Sequence, residues 1–369
     1  MTKVKTLFRL SLLAAGISLA AGVHAQDTNR VNFYNWSDYI AEDTLPGFTE
    51  KTGIQVTYDV YDSNEVLEAK LLAGSTGFDI VVPTNTYLLR QIKAGVFMEI
   101  DRSKIPNYAN LDPDMMKLLE SIDPGNKFGV PYMWGTTGIG YNVDKIKAIF
   151  GDDAPTDSWD LVLNPENLAK VSTCGVGFLD APSDIFPTVL NYIGKDPAST
   201  HPEDYSGAAT EHLMKLRPHI TYFHSSKFIT DLANGDICVA VAWSGDILQA
   251  RDRAIEANNN ININYYIPKE GAMLWVDIMA MPRDAKNVDN AYALINHLLE
   301  PQVMAGISNF VSYANPVPAS KAFIDEEIVG NPGIYPSEEI EDKLFMVKDL
   351  PQSVHRAMTR SWTRVRTGR

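Results

Sequence analysis

The stretch Val31-Asn-Phe-Tyr-Asn-Trp-Ser-Asp-Tyr39 sets the reading of the whole chain. Val31 and Phe33 alternate with Asn32 and Tyr34, the period of a strand with one buried face. A helical pattern opens near Asp43, runs over 45–51 and ends at Gly53, with Asp43 read as its cap and Pro46 in its first turn. An indole, a hydroxyl, a carboxylate and a phenol therefore sit on a strand-to-helix turn. In open α/β folds that turn lies at the carboxyl end of the sheet, where ligands bind. Aromatic faces beside a carboxylate suit an organic cation.

Reading outward, Ile54, Val56, Tyr58 and Val60 alternate as a second strand. Asp62 and Glu65 have capping-box spacing ahead of a helix that Gly74 ends. Phe78 to Val82 is a third strand, apolar enough to be buried on both faces. Thr84 opens the next helix, through Ala94. Strand and helix alternate, so the sheet is expected to be mostly parallel. Val130 to Asn142 reads as an extended segment running into a new strand, the first crossing between two lobes. A second α/β alternation follows over 175–257. The strand 272–281 then returns to the first lobe, 289–299 is a helix, and 313–318 is a third crossing.

The expected fold class is α/β and two-lobed, each lobe a mostly parallel sheet flanked by helices. Lobe one takes residues 26–140 and 276–369, and lobe two is the inserted segment 141–275. Connections gathered at one hinge favour closure around a ligand in the cleft. Residues 1–25 read as a cleaved leader. Lys3, Lys5 and Arg9 precede an apolar run, and Val23-His24-Ala25 fits the small-x-small cleavage rule. The mature chain is expected to be exported and soluble.

With 46 acidic against 32 basic residues the net charge is −14. That balance disfavours nucleic acid and suits a cationic ligand. Cys174 and Cys238 are the two cysteines. In an oxidising compartment they read as one disulfide, stabilising by about 4 kcal/mol through loop entropy. The other reading is two buried thiols. Catalytic and cofactor motifs are absent. Gly135-Thr-Thr-Gly138-Ile-Gly140 lacks the third spaced glycine and the helix start of a dinucleotide loop. Ala242-Trp-Ser-Gly245 lacks the first glycine of a nucleophile elbow. His219 and His224 have no partner acid at metal-ligand spacing. No enzyme activity, cofactor or metal is expected.

Seven segments carry a family resemblance: Tyr-Asn-Trp-Ser-Asp-Tyr-Ile (34–40), Asp-Val-Tyr-Asp-Ser-Asn-Glu (59–65), Gly-Phe-Asp-Ile-Val-Val-Pro (77–83), Pro-Tyr-Met-Trp-Gly-Thr-Thr-Gly-Ile-Gly-Tyr-Asn (131–142), Asp-Leu-Ala-Asn-Gly-Asp-Ile-Cys (231–238), Ile-Pro-Lys-Glu-Gly-Ala (267–272) and Asn-Pro-Gly-Ile-Tyr-Pro (331–336). In that order they resemble the periplasmic polyamine-binding proteins of bacterial ABC importers, most nearly the putrescine-binding branch. The resemblance implies a two-lobed binding protein, a monomer, that captures putrescine or spermidine and delivers it to an inner-membrane permease. It also implies that Cys174 pairs with Cys238. Carried over by position, one wall of the site is Trp36, Ser37, Asp38, Thr84 and Tyr87. The other is Asp184, Ser225, Trp243 and Asp246, with Trp275, Asp277 and Tyr313 between.

The chemistry of those residues suits the ligand. A buried ammonium needs a paired anion and full hydrogen bonding. Four aspartates from separate regions supply the anions, and rings sandwich the methylenes. The resemblance also implies departures. Asp184 stands where putrescine binders usually carry Glu, Thr84 where Ser is common, and Trp275 where that branch has Phe and spermidine binders have Trp. Ala181 resembles the putrescine branch. The balance favours spermidine or dual specificity. Alternatives are a binder of this fold for another cationic solute, a polyamine sensor, or a secreted hydrolase using two of the acids. An amino-acid binder would want an Arg in the wall, and none is proposed there.

Overall fold

The computed structural model describes residues 29–369. The leader read at 1–25 lies outside the described residues. Nine strands form the sheet: β1 Arg30–Trp36, β2 Gln55–Tyr61, β3 Ile80–Val81, β4 Gly129–Asn142, β5 Val176–Phe178, β6 Tyr222–Phe223, β7 Val239–Trp243, β8 Ile263–Tyr266 and β9 Met273–Ala280. They run in the order β2-β1-β3-β9-β4-β7-β5-β6, with β8 beside β4. Both wings are parallel as expected, β2-β1-β3 on one side and β7-β5-β6 on the other. The centre is not. β3 with β9, β9 with β4, and β4 with β7 and β8 are all antiparallel. The wings are the cores of two lobes, and β4 and β9 belong to both.

β4 explains how. Its first part pairs β9 from Gly129 to Thr137, and its last part pairs β7 and β8 from Thr137 to Asn142. All its residues but Trp134 are buried. The glycines whose spacing fails as a dinucleotide loop make this packing possible. A Cβ on Gly138 would lie 2.4 Å from the Tyr265 hydroxyl and 2.6 Å from the Tyr266 carbonyl oxygen. Trp134 also donates its N–H to the Ala314 carbonyl at 2.9 Å. Three chain segments thus lie side by side where the lobes join.

Local signals set the element ends, with two corrections. Gly53 stops the helix Thr44–Thr52 in the left-handed conformation, φ +74°. Asp43 precedes that helix but does not cap it, because its own backbone is already helical (φ −86°, ψ −13°). Ser63, not Asp62, caps the helix Asn64–Ala73, accepting from Val66 N–H at 3.4 Å. Glu65 is released from the capping box and accepts from the Tyr87 hydroxyl at 2.5 Å. Buried Asp79 accepts from the backbone N–H groups of Asn32, Lys286 and Asn287 at 2.8–2.9 Å, tying β1 to the chain beyond β9.

The C-terminal helix Gln352–Thr367, which the sequence reading groups with lobe one, packs against the helices Pro182–Tyr192 and Thr210–Leu216. Trp362 stacks edge-on to Phe186 and Phe223, and its indole N–H donates to Asp180 at 2.7 Å. At the other end of the helix, the Arg90 guanidinium of lobe one lies 3.2 Å from His355 Nδ1. Among the described residues no helix is long and apolar enough to cross a membrane.

Cys174 and Cys238 are bonded, with Cα atoms 5.6 Å apart and a sequence separation of 64. The bond joins the approach to β5 to the start of β7, within one wing. Replacing both cysteines by serine is expected to lower unfolding free energy by about 4 kcal/mol, the loop-entropy value for that separation. Urea denaturation checks this, and a loss below about 1 kcal/mol would contradict it.

Candidate functional site

The strands place the functional side chains. Trp36, Ser37 and Asp38 stand where β1 ends, and Thr84 follows β3. Asp184 lies in the first turn of the helix after β5, and Trp243 and Asp246 at the junction of β7 with the helix Ser244–Glu256. These are carboxyl ends of parallel strands in both wings, the usual ligand edge of such sheets. Trp275 and Asp277 come from the middle of β9, and Tyr313 from the third joining segment. A cleft lies between the two walls. Eleven of the twelve expected residues line it: Trp36, Ser37, Asp38, Thr84, Asp184, Ser225, Trp243, Asp246, Trp275, Asp277 and Tyr313.

Tyr87 is the exception. Its ring lies under the Arg90 guanidinium at 3.8 Å and its hydroxyl is held by Glu65. Those bonds turn it away, and Thr86 lines the cleft instead. The sequence reading also missed Tyr39, Asp62, Asn64, Ser226, Ile229 and Met273. Tyr39 and Asn64 left a signal, since both fall inside quoted motifs. Their importance is indirect, through the acids they hold.

The acids are individually tethered. Asp277 accepts from Thr84 Oγ1 at 2.6 Å and from the Tyr39 hydroxyl at 2.9 Å. Thr84 is in turn fixed by Asn64, which receives its N–H and donates to its hydroxyl. Asp184 accepts from Thr137 Oγ1 at 2.8 Å and Trp243 Nε1 at 3.0 Å through one oxygen, and from Ser183 Oγ through the other. Asp246 accepts from the Tyr313 hydroxyl at 2.7 Å. Asp38 sits in the left-handed region, φ +54°, a conformation that non-glycine residues adopt at some energetic cost and often at functional sites.

The two walls touch. Trp36 and Trp243 meet edge to face with centroids 5.7 Å apart, and Arg253 reaches Asp38 at 3.0 Å. The conformation is therefore closed. Trp36 donates its indole N–H to the Val82 carbonyl, which also receives the Tyr61 hydroxyl, so that ring is fixed. Trp275 packs edge-on to Tyr313 at 5.3 Å.

Burial acts on the acids in this closed space. It raises Asp277 to about 7, with Asp184 and Asp246 adding repulsion and the Thr84 and Tyr39 donors opposing. It raises Asp246 to about 7, against the Tyr313 hydrogen bond and with repulsion from Asp38. Asp184 is raised for the same first reason, opposed by its three donors. No Lys or Arg is among the lining residues. The arrangement offers anions, acceptors and ring faces to a ligand that must bring positive charge. Among the described residues no group of three or more His, Cys, Asp or Glu is placed to hold a metal ion.

Residues 46–335 match the family described as bacterial extracellular solute-binding protein, and the chain belongs to that family. Its architecture is the two-lobed periplasmic-binding-protein fold, built to hold a solute between lobes. Among relatives, it is 56% identical to the putrescine-binding periplasmic protein PotF of Escherichia coli K12, over 98% of each chain. It is 35% identical to the spermidine/putrescine-binding periplasmic protein of the same organism, over 89% of this chain and 90% of that one. Among solved structures, a putative spermidine/putrescine ABC transporter protein from Listeria monocytogenes superposes with a TM-score of 0.80. It is 31% identical, covering 92% of this chain and 100% of that one.

Gly245 sets the spacing of one wall. A Cβ there would lie 2.5 Å from the Tyr313 ring, which is buried and has no free end to swing aside. Gly245→Ala is expected to destabilise the chain. Overpacking by about 1–3 kcal/mol outweighs the ~1 kcal/mol that alanine gains in a helix. Urea denaturation measures it, and a variant at least as stable as the parent would show that the ring has room.

Proposed function

We propose that this chain captures a polyamine in the closed cleft and hands it to an inner-membrane ABC permease. The observation that carries the reading is the convergence of Asp38, Asp184, Asp246 and Asp277 on one ring-walled space, where among the described residues Asp38 alone of the four is ion-paired, with Arg253, and no Lys or Arg is in the lining. Ammonium ends pair with the carboxylates, while Trp36, Trp243, Trp275 and Tyr313 enclose the methylenes. Ser37, Ser225 and backbone carbonyls accept the remaining N–H donors. The names of the relatives fit this chemistry. The protein works in the periplasm as a monomer, after removal of the leader at 1–25. Lobe one comprises 26–140 and 276–369 and lobe two 141–275, closing about the three segments that meet at Trp134, with the C-terminal helix of lobe one laid across the helices of lobe two.

The ligand selects the closed state by charge. In the open cleft water solvates the acids. Closing an empty cleft raises Asp246 and Asp277 to about 7, so closure without ligand takes up protons. The sign follows: falling pH favours the empty closed form, rising pH the open one. A polyamine, whose amines keep their protons well above neutrality, replaces those protons. Protons therefore compete with it. Affinity is expected to fall as pH drops from 8 to 5.5, while the ligand-free radius of gyration shrinks. Calorimetry and small-angle scattering check the two halves, and an affinity that rises on acidification would refute the scheme.

The shorter arm of Asp184 and the indole of Trp275 favour a longer ligand, Thr84 is a mild change and Ala181 favours putrescine, so the balance leans to spermidine or dual binding. Calorimetry with putrescine and spermidine tests the function directly. No heat with either ends the reading, and putrescine binding at least tenfold tighter removes the spermidine preference. Asp277→Asn is expected to weaken either ligand by roughly 2–5 kcal/mol, the cost of leaving an ammonium unpaired. Asn still accepts from Thr84 or Tyr39, so the fold survives. Unchanged affinity would take Asp277 out of the site.

A further inference from the structure

The C-terminal helix Gln352–Thr367 carries Arg356, Arg360 and Arg364 on its solvent side. The spacing of four puts them in one stripe about 12 Å long. All three are exposed, and none forms an ion pair among the described residues. Their neighbour Arg366 differs, since it pairs with Asp180 at 3.0 Å. Like charges four apart on a helix repel. Arg364, in the last turn, is favoured by the terminal carbonyls, but Arg356 and Arg360 are not. The first turn holds no acid to balance them. In a chain of net charge −14, folding gains little from this stripe, in which Arg360 Nε donates to the Arg356 carbonyl at 3.3 Å.

We infer that the stripe is a docking surface for a carboxylate-bearing face of the permease, an inference that rests on the delivery reading above. The guanidinium fork suits paired carboxylate oxygens. A lipid surface fits less well. The exposed residues beside the stripe are Thr359, Thr363 and Thr367, with no apolar side chain to enter a bilayer. The net negative charge opposes approach to an anionic leaflet. The helix also touches both lobes, lobe one through His355 beside Arg90 and lobe two through Trp362 and Arg366 on Asp180. The stripe therefore keeps a fixed position relative to both lobes only when the cleft is shut, and a partner reading it recognises the loaded form.

The test uses the full spermidine-loaded protein and the permease of its own import system in phosphatidylcholine nanodiscs, with binding followed by biolayer interferometry. The triple variant R356E/R360E/R364E is expected to bind at least tenfold more weakly, and R360E alone about threefold. Calorimetry should show spermidine affinity within twofold of the parent for both. Binding of the parent should weaken as salt rises from 50 to 200 mM. The inference is overturned if either charge-reversed protein docks like the parent. It is equally overturned if the parent binds empty discs containing phosphatidylglycerol as well as it binds permease discs. A parent that holds spermidine but docks on no permease overturns the delivery reading and the stripe together.

Discussion

Charge that cannot be left alone governs this molecule. Carboxylates taken out of water need a counter-charge, a proton or a dense set of donors. Asp184, Asp246 and Asp277 are drawn from three different elements into one enclosed space, with three donors on Asp184, two on Asp277 and one on Asp246. Asp79 shows the contrast. It too is buried, but four N–H groups surround it and bind its charge into the scaffold. One acid is finished by the fold, and the cleft acids are left incomplete. That difference separates a carboxylate completed by the scaffold from one left open to a counter-charge.

Much of this was legible from local pattern. The alternation of Val31 and Phe33, the glycine stops at 53 and 74, and the apolar third strand all follow from neighbours in sequence. The antiparallel centre was not. β9 joins β3 and β4 across separations that no local period records, and the parallel expectation extends the outer wings inward. Cap choice failed for a smaller reason, since Asp62 and Ser63 are adjacent and both can cap. Geometry chose Ser63 and left Glu65 to hold Tyr87.

The site divides in the same way. Side chains that face the cleft from strand ends could be placed from the segments they sit in. Tyr87 could not, because one hydrogen bond and one stacked guanidinium decide its direction. Tyr39 and Asn64 act on the acids through hydrogen bonds, so their part emerges only when partners are known. The glycines of β4 were the reverse case: conspicuous in sequence, without the spacing of a dinucleotide loop, and used for close packing.

The side-by-side run of β4, β9 and the segment at Ala314 has a mechanical consequence. Two of the three links between lobes are strands of one continuous ladder, so they cannot swivel like free linkers. Opening must spread as a small change of twist along hydrogen-bonded ribbons, and the return path is the same. The halves are thus guided along a single track, and the opposing rings arrive in register each time without having to search for one another.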